Sequence, residues 1–429
     1  MAAQVSSNAA TAPQVAEGKN DVAQAEHIYM GGHETALMTG DDYAFWREQC
    51  LPSFSSLLRS TGSYTPEQTE SHINFFKEHV IPHIGPRPTS GGAYLMAHTG
   101  SVLENSINFS DTSDPVIRFI FQPMGIKGIP EATNADVGWF HQTSTTFCLT
   151  EPEMTMIKEK VPSLSNIPQF LIGFDLDKED RTLKAYYCPL YKSIIDGSDT
   201  DQMIYDLVRR LTKGEKLVPA LEKLEKFRRD EPQRAVDCIG IDCIKPEDGA
   251  RFKLYTRLPE SQNSFGFIKH QMTLGGALTD ATLHEGLEHL RGIWHLLFDE
   301  PEDWTAKDEH KKEVMLEGSP HFGLLLSWEL VPGNDAPIPK LYVPLWKFSR
   351  SNKDITANYE KIFQKWGWAW GNNGTYSKAI EDAYGKDGVS DGTPLIHTYA
   401  SFNFSKKKGK YMTSYNSPAM MEKFGLKDL

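Results

Sequence analysis

Apolar and polar residues along the chain repeat with two different periods. Apolar residues three and four positions apart predict amphipathic helices, and strict alternation predicts strands between them. Pro52 lies within the first predicted helix and is a candidate break in it. The predicted helices cover residues 41–60, 65–81, 151–160, 199–229, 279–298, 303–316, 353–368 and 376–384.

The strand-like segments come in pairs, joined by short polar segments such as DTSDP, DKEDR and SKKKGK. Turn formers between two alternating runs predict antiparallel hairpins. The hairpins recur roughly every 65 to 85 residues, with about two helices between them, which indicates a repeated α-α-β-β unit. The pairs are 101–110 with 116–123, 170–176 with 182–190, 236–243 with 250–257, 322–331 with 340–348, and 397–404 with 411–417.

Antiparallel hairpins separated by helix pairs do not form a parallel sheet with crossover helices. They can close into a barrel of about ten strands surrounded by helices, which leaves no open sheet edge. The sequence therefore predicts an α+β fold, a ten-stranded antiparallel β-barrel with helices outside. The lumen of so wide a barrel exceeds what its own side chains fill, so its inner face should line a ligand chamber.

Length and charge limit the classes of protein. The chain has 429 residues, 39% of them hydrophobic, and a formal net charge of −12. The acidic balance argues against general binding of nucleic acid or anionic membranes. The five cysteines are odd in number and lack the C-x-x-C spacing of a zinc site, so reduced thiols are expected. Together with the absence of a predicted signal peptide or membrane span, they favour a cytoplasmic protein. Residues 1–27 are predicted to be a disordered tail, and residues 28–429 a single barrel domain.

Cations and tyrosines alternate with apolar residues on several predicted strands. In ARFKLYTR, residues 250–257, Phe252 and Leu254 should pack outward against helices while the alternate residues point into the chamber. A K-x-Y pattern recurs on the second strands of three hairpins. The presumed inward residues are Arg118, Lys184, Tyr186, Arg251, Lys253, Tyr255, Lys340, Tyr342, Tyr399, Tyr411 and Tyr415.

Several cations converging in a partly dry cavity suit a multiply charged anion such as a diphosphate. Two unit charges about 4 Å apart interact by roughly 4 kcal/mol at an effective dielectric near 20, so unpaired cations there would repel one another without a ligand. Tyrosine ring faces can also stabilise a carbocation. Together these groups indicate an allylic diphosphate that ionises. Glu104, an acid in the middle of the first strand, is then the natural acceptor for a substrate N–H or O–H.

These motifs resemble those of the fungal aromatic prenyltransferases of the dimethylallyltryptophan synthase type, enzymes of indole alkaloid and other secondary metabolism. The resemblance extends from about residue 40 to the C-terminus and includes Glu104, R-F-K-L-Y at 251–255, K-L-Y-V-P at 340–344 and the terminal Y-M-T-S-Y. It implies a prenyltransferase barrel that moves a dimethylallyl group from dimethylallyl diphosphate to an indole by electrophilic aromatic substitution, without a metal or other cofactor.

The resemblance also implies roles for individual residues. Glu104 would accept the indole N–H, and Leu95 and Met96 would present backbone to the aromatic substrate. The diphosphate would bind Arg118, Lys184, Arg251, Lys253, Lys340 and Lys406. The allylic cation would be shielded by Tyr186, Tyr255, Tyr342, Tyr399, Tyr411 and Tyr415.

The chain departs from the family pattern at three places. Lys340 stands where relatives often carry Gln, and Ser405, Lys406 and Lys407 stand where they carry an Arg. Lys406 is chosen there, although the loop is one residue longer. VDCIGIDC lacks the arginine with which relatives bind the carboxylate of free tryptophan, which favours an acceptor without a free carboxylate, such as a cyclic dipeptide.

Alternatives remain open from sequence alone. The acceptor could be a phenol, a xanthone or an indole terpenoid instead, and a barrel that binds a phosphorylated ligand without chemistry would show the same cations. Hydrolysis of an anionic substrate is disfavoured because no nucleophile–base pair or metal cluster is apparent. The donor chain length, the position prenylated and the oligomeric state, including a homodimer, are not fixed.

Three motifs resemble metal sites but are better explained as ordinary secondary structure. His284 and His289 in HEGLEH are five residues apart, so they do not converge on one helix face as the pair in H-E-x-x-H does. DLDKED, residues 175–180, lacks the glycine and the final glutamate of a calcium loop. DDYAF, residues 41–45, is predicted to begin a helix, where carboxylates favour the helix dipole.

Overall fold

Ten antiparallel strands close into a barrel in which each strand pairs with its neighbours in the sequence and the last strand pairs with the first. The predicted fold class is confirmed. The computed structural model describes residues 38–87, 96–124, 129, 133–161, 169–231, 235–313, 323–348, 351–392 and 395–420. The strands are β1 Leu103–Ser110, β2 Val116–Phe121, β3 Phe170–Asp177, β4 Asp180–Tyr187, β5 Cys238–Asp242, β6 Phe252–Arg257, β7 Leu325–Leu330, β8 Ile338–Pro344, β9 His397–Ser405 and β10 Gly409–Asn416. The predicted tail 1–27 and Leu95 lie outside the described residues.

Helices precede and separate the hairpins in the described parts of the chain. They are α1 Gly40–Ser60, α2 Pro66–Phe75, α3 Ile81–Ile84, α4 Gly138–Phe147, α5 Glu151–Lys160, α6 Leu190–Asp196, α7 Thr200–Arg210, α8 Val218–Asp230, α9 Phe265–Met272, α10 Ala281–Phe298, α11 Glu302–Thr305, α12 Leu345–Phe348, α13 Asn352–Trp366 and α14 Thr375–Tyr384. A π-helical turn, Phe76–Val80, joins α2 to α3.

Most predicted helices are present, with four corrections. Pro52 lies inside α1 without ending it. The predicted helix 199–229 is divided into α7 and α8 by a 3₁₀ turn at Gly214–Lys216. Residues 306–313 are not helical, so the predicted helix 303–316 is wrong for that part. Helices α4, α6, α9 and α12 were missed, and α12 occupies residues that were predicted as the end of the strand 340–348.

The apolar alternates of each strand pack outward against the helices. Phe252 and Leu254 are fully buried. Phe119 of β2 meets Phe54 of α1 with ring centroids 5.2 Å apart, and Phe109 of β1 meets Phe363 of α13 at 4.7 Å. The core therefore lies between barrel and helices, which leaves the other face of every strand free to line the lumen.

Local sequence explains how the elements begin and turn. Thr39 and Asp42 form a capping box at the start of α1, which confirms that DDYAF begins a helix. DLDKED forms the β3–β4 hairpin, and HEGLEH lies within α10, as predicted. Among the described residues, no helix combines the length and apolar character needed to cross a membrane.

Candidate active site

The barrel encloses a cavity of about 1050 Å³, its open mouth included. Polar side chains of different character occupy its two ends. One end is lined by lysines, arginines and carboxylates, the other by Glu104, Asp237, Arg257 and Tyr399, and tyrosine rings lie between them. The order follows from strand alternation, since residues two apart on a strand share a face and succeed one another along the lumen.

Six cationic side chains gather at the first end of the cavity. Five of them were predicted from the strands, and Arg118, Lys184, Lys253 and Lys340 stand on different strands of the barrel. Lys184, Lys253 and Lys340 are buried, with at most 5% of each residue exposed. The set is Arg118, Lys184, Arg251, Lys253, Lys340 and Lys408.

Three carboxylates stand among these cations, each directly opposite one of them on the adjacent strand. Asp175 pairs in register with Arg118, Asp242 with Lys184, and Glu329 with Lys253. Their side chains form short ion pairs across the strands. Lys184 Nζ lies 2.5 Å from Asp175, and Lys253 Nζ lies 2.6 Å from Asp242.

Arg251 connects two of the carboxylates. Its Nε lies 2.5 Å from Asp242 and its Nη1 lies 3.1 Å from Glu329. Four of the cations, Arg118, Lys184, Arg251 and Lys253, are therefore ion-paired, contrary to the expectation of unpaired lysines, whereas Lys340 and Lys408 form no ion pair with the described residues. Among the described residues, six cations against three carboxylates leave a formal excess of three positive charges, so a multiply charged anion remains the complementary ligand.

The electrostatics of the cluster change the pKa of several of its members, including Lys184 and Tyr411. Burial lowers the pKa of Lys184 to about 8, although Asp175 opposes the change. Burial alone would raise the pKa of the Tyr411 hydroxyl, but Arg118, Lys340, Lys408 and Arg251 around it hold that pKa well below its usual range. Arg118 donates a hydrogen bond to the hydroxyl at 3.0 Å. Tyr411 thus belongs to the cationic end of the cavity.

Four tyrosine rings form a continuous row across the middle of the cavity. Successive ring centroids are 6.2 Å apart from Tyr186 to Tyr255, 5.9 Å from Tyr255 to Tyr342, and 6.0 Å from Tyr342 to Tyr415. Burial holds the pKa of Tyr186, Tyr255 and Tyr342 well above the usual range, so these phenols stay neutral. Such rings present π faces without introducing a charge.

Gly240 provides the space for one of these rings. It is the cross-strand neighbour of Tyr186, and a Cβ built on it would lie 2.9 Å from Cδ1 of that ring. The same Cβ would lie 3.3 Å from the Tyr255 ring. Any larger residue at this position would displace the row.

Glu104 occupies the opposite end of the cavity. Burial raises the pKa of its carboxyl to about 7, although a hydrogen bond from Thr398 opposes the change. The Thr398 hydroxyl donates to Oε1 at 2.6 Å, and Oε2 accepts no hydrogen bond within the described ranges. The carboxyl is thus poised to ionise near neutral pH with one oxygen available.

Comparisons with known proteins agree with this arrangement. Residues 42–132 and 126–378 match the family model described as tryptophan dimethylallyltransferase. The chain belongs to this family. The predictions of an aromatic prenyltransferase and of its barrel are therefore confirmed.

Individual relatives cover nearly the whole chain. An indole diterpene prenyltransferase of Tolypocladium album is 32% identical over 88% of this chain and 94% of its own length. An indole prenyltransferase of Emericella nidulans is 31% identical over 86% of this chain and 94% of its own. The crystal structure of NotF in complex with brevianamide F and DMSPP has the same fold, with a TM-score of 0.71, 21% identity, and coverage of 88% of this chain and 95% of that one.

One predicted site residue of this prenyltransferase lies elsewhere. Lys406 is exposed on the β9–β10 turn and is not among the described cavity residues; its charge acts on Asp280 instead. Lys408, two residues on, places its Nζ 4.7 Å from the centroid of the Tyr411 ring. Lys408 is exposed as well, but its charge acts on Tyr411, Arg118 and Arg251. Of these two lysines, Lys408 has its ammonium at the cationic end of the cavity.

The remaining predictions near the second end of the cavity differ in outcome. Tyr399 lines the cavity, but in the described part of the enzyme its ring contacts none of the four-ring row, and its electrostatic neighbours are Arg257, Glu104 and Asp237. Met96 is half-buried and is not among the described cavity residues. Cys238 of β5 lines the cavity. The segment VDCIGIDC, which contains β5, is the one that lacks the arginine with which relatives bind the carboxylate of tryptophan.

The carboxylates were missed from sequence, although their positions could have revealed them. Asp175, Asp242 and Glu329 each lie on the first strand of a hairpin, in phase with the inward-facing residues. A search for acids opposite the inward-facing cations Arg118, Lys184 and Lys253 would have found all three. No group of three His, Cys, Asp or Glu side chains able to hold a metal ion occurs in the described segments.

Proposed function

We propose that the enzyme transfers a dimethylallyl group from dimethylallyl diphosphate to a carbon of an uncharged indole. The observation that carries the proposal is the order of groups along one cavity: excess positive charge, then tyrosine rings, then a lone carboxyl at Glu104. A diphosphate needs the first, an allylic cation the second, and an indole N–H the third.

The cationic end would bind the diphosphate and stabilise it as a leaving group. The bond between the allylic carbon and the phosphate oxygen breaks, and both electrons leave with the diphosphate. Tyr186, Tyr255, Tyr342 and Tyr415 surround the resulting cation and exclude water from it. No metal is assigned to this step, because lysines and arginines supply the neutralising charge.

Glu104 would orient the indole and increase the electron density of its ring by accepting the N–H. A ring carbon then donates its π electrons to the allylic cation and forms the new carbon–carbon bond. The proton on that carbon is lost to the released diphosphate, the base that the first step creates in the same cavity. The aromatic ring is restored and the atoms balance.

An uncharged acceptor is supported by the relatives and by the site. The relative from Tolypocladium album is named an indole diterpene prenyltransferase, and NotF is described with brevianamide F. Glu104 and the described residues beside it comprise two carboxylates, Glu104 and Asp237, and one arginine, Arg257, which does not favour a carboxylate on the acceptor. We further propose that residues 28–429 act as one catalytic unit.

The test is incubation with dimethylallyl diphosphate and a panel of uncharged indoles, followed by mass spectrometry and an assay for released diphosphate. Transfer predicts a product heavier by one dimethylallyl group less a proton, with one diphosphate released per product. Diphosphate binding without product or release across the panel would instead indicate a binding protein. Glu104→Gln is the matched variant, and full activity in it would contradict the role assigned to this carboxyl.

A further inference from the structure

A second polar pair lines the acceptor end of the cavity beside Glu104. The backbone N–H of Arg257 donates to Oδ2 of Asp237 at 2.7 Å, and Nε of the guanidinium lies 3.7 Å from the same oxygen. The side chain of Arg257 is 19% exposed and that of Asp237 is 36% exposed. Since both face the lumen, a substrate bound there would meet them.

Three groups at this end have hydrogen-bonding capacity that the described residues do not use. Oδ2 of Asp237 accepts from the Arg257 N–H, whereas Oδ1 accepts no hydrogen bond from the described residues. The Tyr399 hydroxyl has no partner in the part of the chain that is described, and neither does Oε2 of Glu104. These three groups can therefore form hydrogen bonds with a ligand that enters this end of the cavity.

The net charge at the acceptor end of the cavity differs from that at the cationic end. Glu104 and Asp237 oppose a single cation, Arg257, among the described cavity residues there. The formal charge is therefore negative when Glu104 is ionised and zero when it is protonated. Behind Arg257, Lys347 is paired with Glu260 at 3.0 Å and adds no net charge. An anionic acceptor group would be repelled here, whereas an N–H or O–H donor would be attracted.

We infer that Asp237, held by Arg257 and assisted by Tyr399, is a second recognition point that selects uncharged acceptors with a hydrogen-bond donor beyond the indole N–H. The inference rests on the proposed function, since it concerns the same acceptor. Glu104 fixes the indole nitrogen and Asp237 fixes a more distant amide N–H or hydroxyl. Two fixed points orient the ring relative to the allylic cation, which a single hydrogen bond cannot do.

Two probes of nearly equal size separate charge from shape. N-acetyl-L-tryptophanamide is neutral and carries amide N–H groups, and N-acetyl-L-tryptophan carries a carboxylate in place of the primary amide. Their dissociation constants would be measured by calorimetry with an unreactive thiolodiphosphate analogue of the donor present. We expect the wild-type enzyme to bind the amide at least about tenfold more tightly than the acid, a difference of about 1.4 kcal/mol.

Asp237→Asn keeps the size of the side chain and an oxygen for the Arg257 N–H but removes the negative charge. It should reduce the preference at least about fivefold, mainly through tighter binding of the acid, because the Arg257 charge is no longer neutralised. Asp237→Glu should retain the preference. Asp177→Asn, which removes an exposed carboxylate at the end of β3, is the control for general charge effects and should leave the preference unchanged.

Equal binding of the two probes by the wild-type enzyme, no detectable binding of either, or an unchanged preference in Asp237→Asn would overturn the inference. Circular dichroism of each variant checks that it folds. The proposed function fails in a different way, by the absence of prenylated product from any indole. A charge preference in binding would persist in that case, so the two failures are distinguishable.

Discussion

Thr398→Val is predicted to change how activity depends on pH. The Thr398 hydroxyl donates at 2.6 Å to Glu104, whose pKa burial raises to about 7. The ionised carboxylate is the form that accepts an indole N–H, and the hydrogen bond stabilises that form. For the wild-type enzyme, kcat/KM should therefore rise with pH and level off above about 7.

The magnitude follows from the strength of that hydrogen bond. A hydrogen bond to a charged group contributes about 1.5–3 kcal/mol, and 1.36 kcal/mol corresponds to one pKa unit, so its loss should raise the pKa of Glu104 by about one to two units. At neutral pH the ionised fraction would fall from about one half to between about 1% and about 10%, a loss of activity of about five- to fiftyfold. The loss should shrink as pH rises.

The assay is kcat/KM for an uncharged indole between about pH 5 and about pH 9, at saturating donor, for the wild-type enzyme and both Thr398 variants. Lys184, whose pKa is about 8, loses its proton at the alkaline end of this range. It does so in the wild type and in both variants, so its effect on kcat/KM cancels in the ratio of variant to wild type. Thr398→Ser keeps the hydroxyl and should behave as the wild type. A ratio for Thr398→Val that does not vary with pH would refute the role of Glu104 ionisation.

The stability of the fold should also depend on the ionisation of Glu104, but in the opposite direction: activity rises with pH, whereas stability falls. The folded-state pKa of Glu104 lies above the usual 4.5, so its contribution is fully present below about pH 4.5 and is lost as pH rises through about 7. Ionisation then costs roughly 3 kcal/mol. Glu104→Gln should therefore unfold at a higher temperature than the wild type at pH 8 and at a similar temperature at low pH. Equal melting temperatures at pH 8 would contradict this.

Three further substitutions test the other parts of the cavity. Lys408→Ala should raise KM for the donor about tenfold or more, because it removes a cation that lies against Tyr411 at the cationic end, while Lys406→Ala should match the wild type; equal effects would contradict the assignment of the turn. Lys253→Ala should weaken donor binding far more than acceptor binding in calorimetry, and equal losses would place this lysine outside the diphosphate site. Gly240→Ala should lower kcat and increase the fraction of donor hydrolysed to free alcohol, since the added Cβ displaces the Tyr186 ring; unchanged partition between transfer and hydrolysis would show that the ring does not shield the cation.

Strand pairing explains why so much of the barrel could be predicted. Every hairpin joins neighbours in the sequence, so local alternation and turn residues determine both partners and register. Once Phe252 and Leu254 are assigned to the helix-facing side, Arg251 and Lys253 must face the lumen. The same logic applies to Lys184, Tyr186 and Tyr342, and all of them line the cavity.

What could not be predicted depends on contacts between distant parts of the chain or on the shape of a turn. Thr398 and Glu104 are 294 residues apart, and nothing in either local sequence indicates their hydrogen bond. Lys406 and Lys408 differ only in where the β9–β10 turn directs them. Helix α4, with the sequence GWFHQTSTTF, is rich in β-branched and aromatic residues of low helix propensity and forms through burial of Trp139 and Phe140.

The pairing of β1 with β10 has a consequence for how the chain folds. Asn108 donates to Thr413 at 2.7 Å across 305 residues of sequence, and every other strand pair in the barrel is between consecutive strands. The barrel therefore cannot close until almost the entire chain has left the ribosome, and the closing contact has the largest loop entropy to overcome. Until then β1 and the most recently made strand are both open edges, exposed to pairing with other chains. Loss of the last strand would leave the nascent protein in that state permanently.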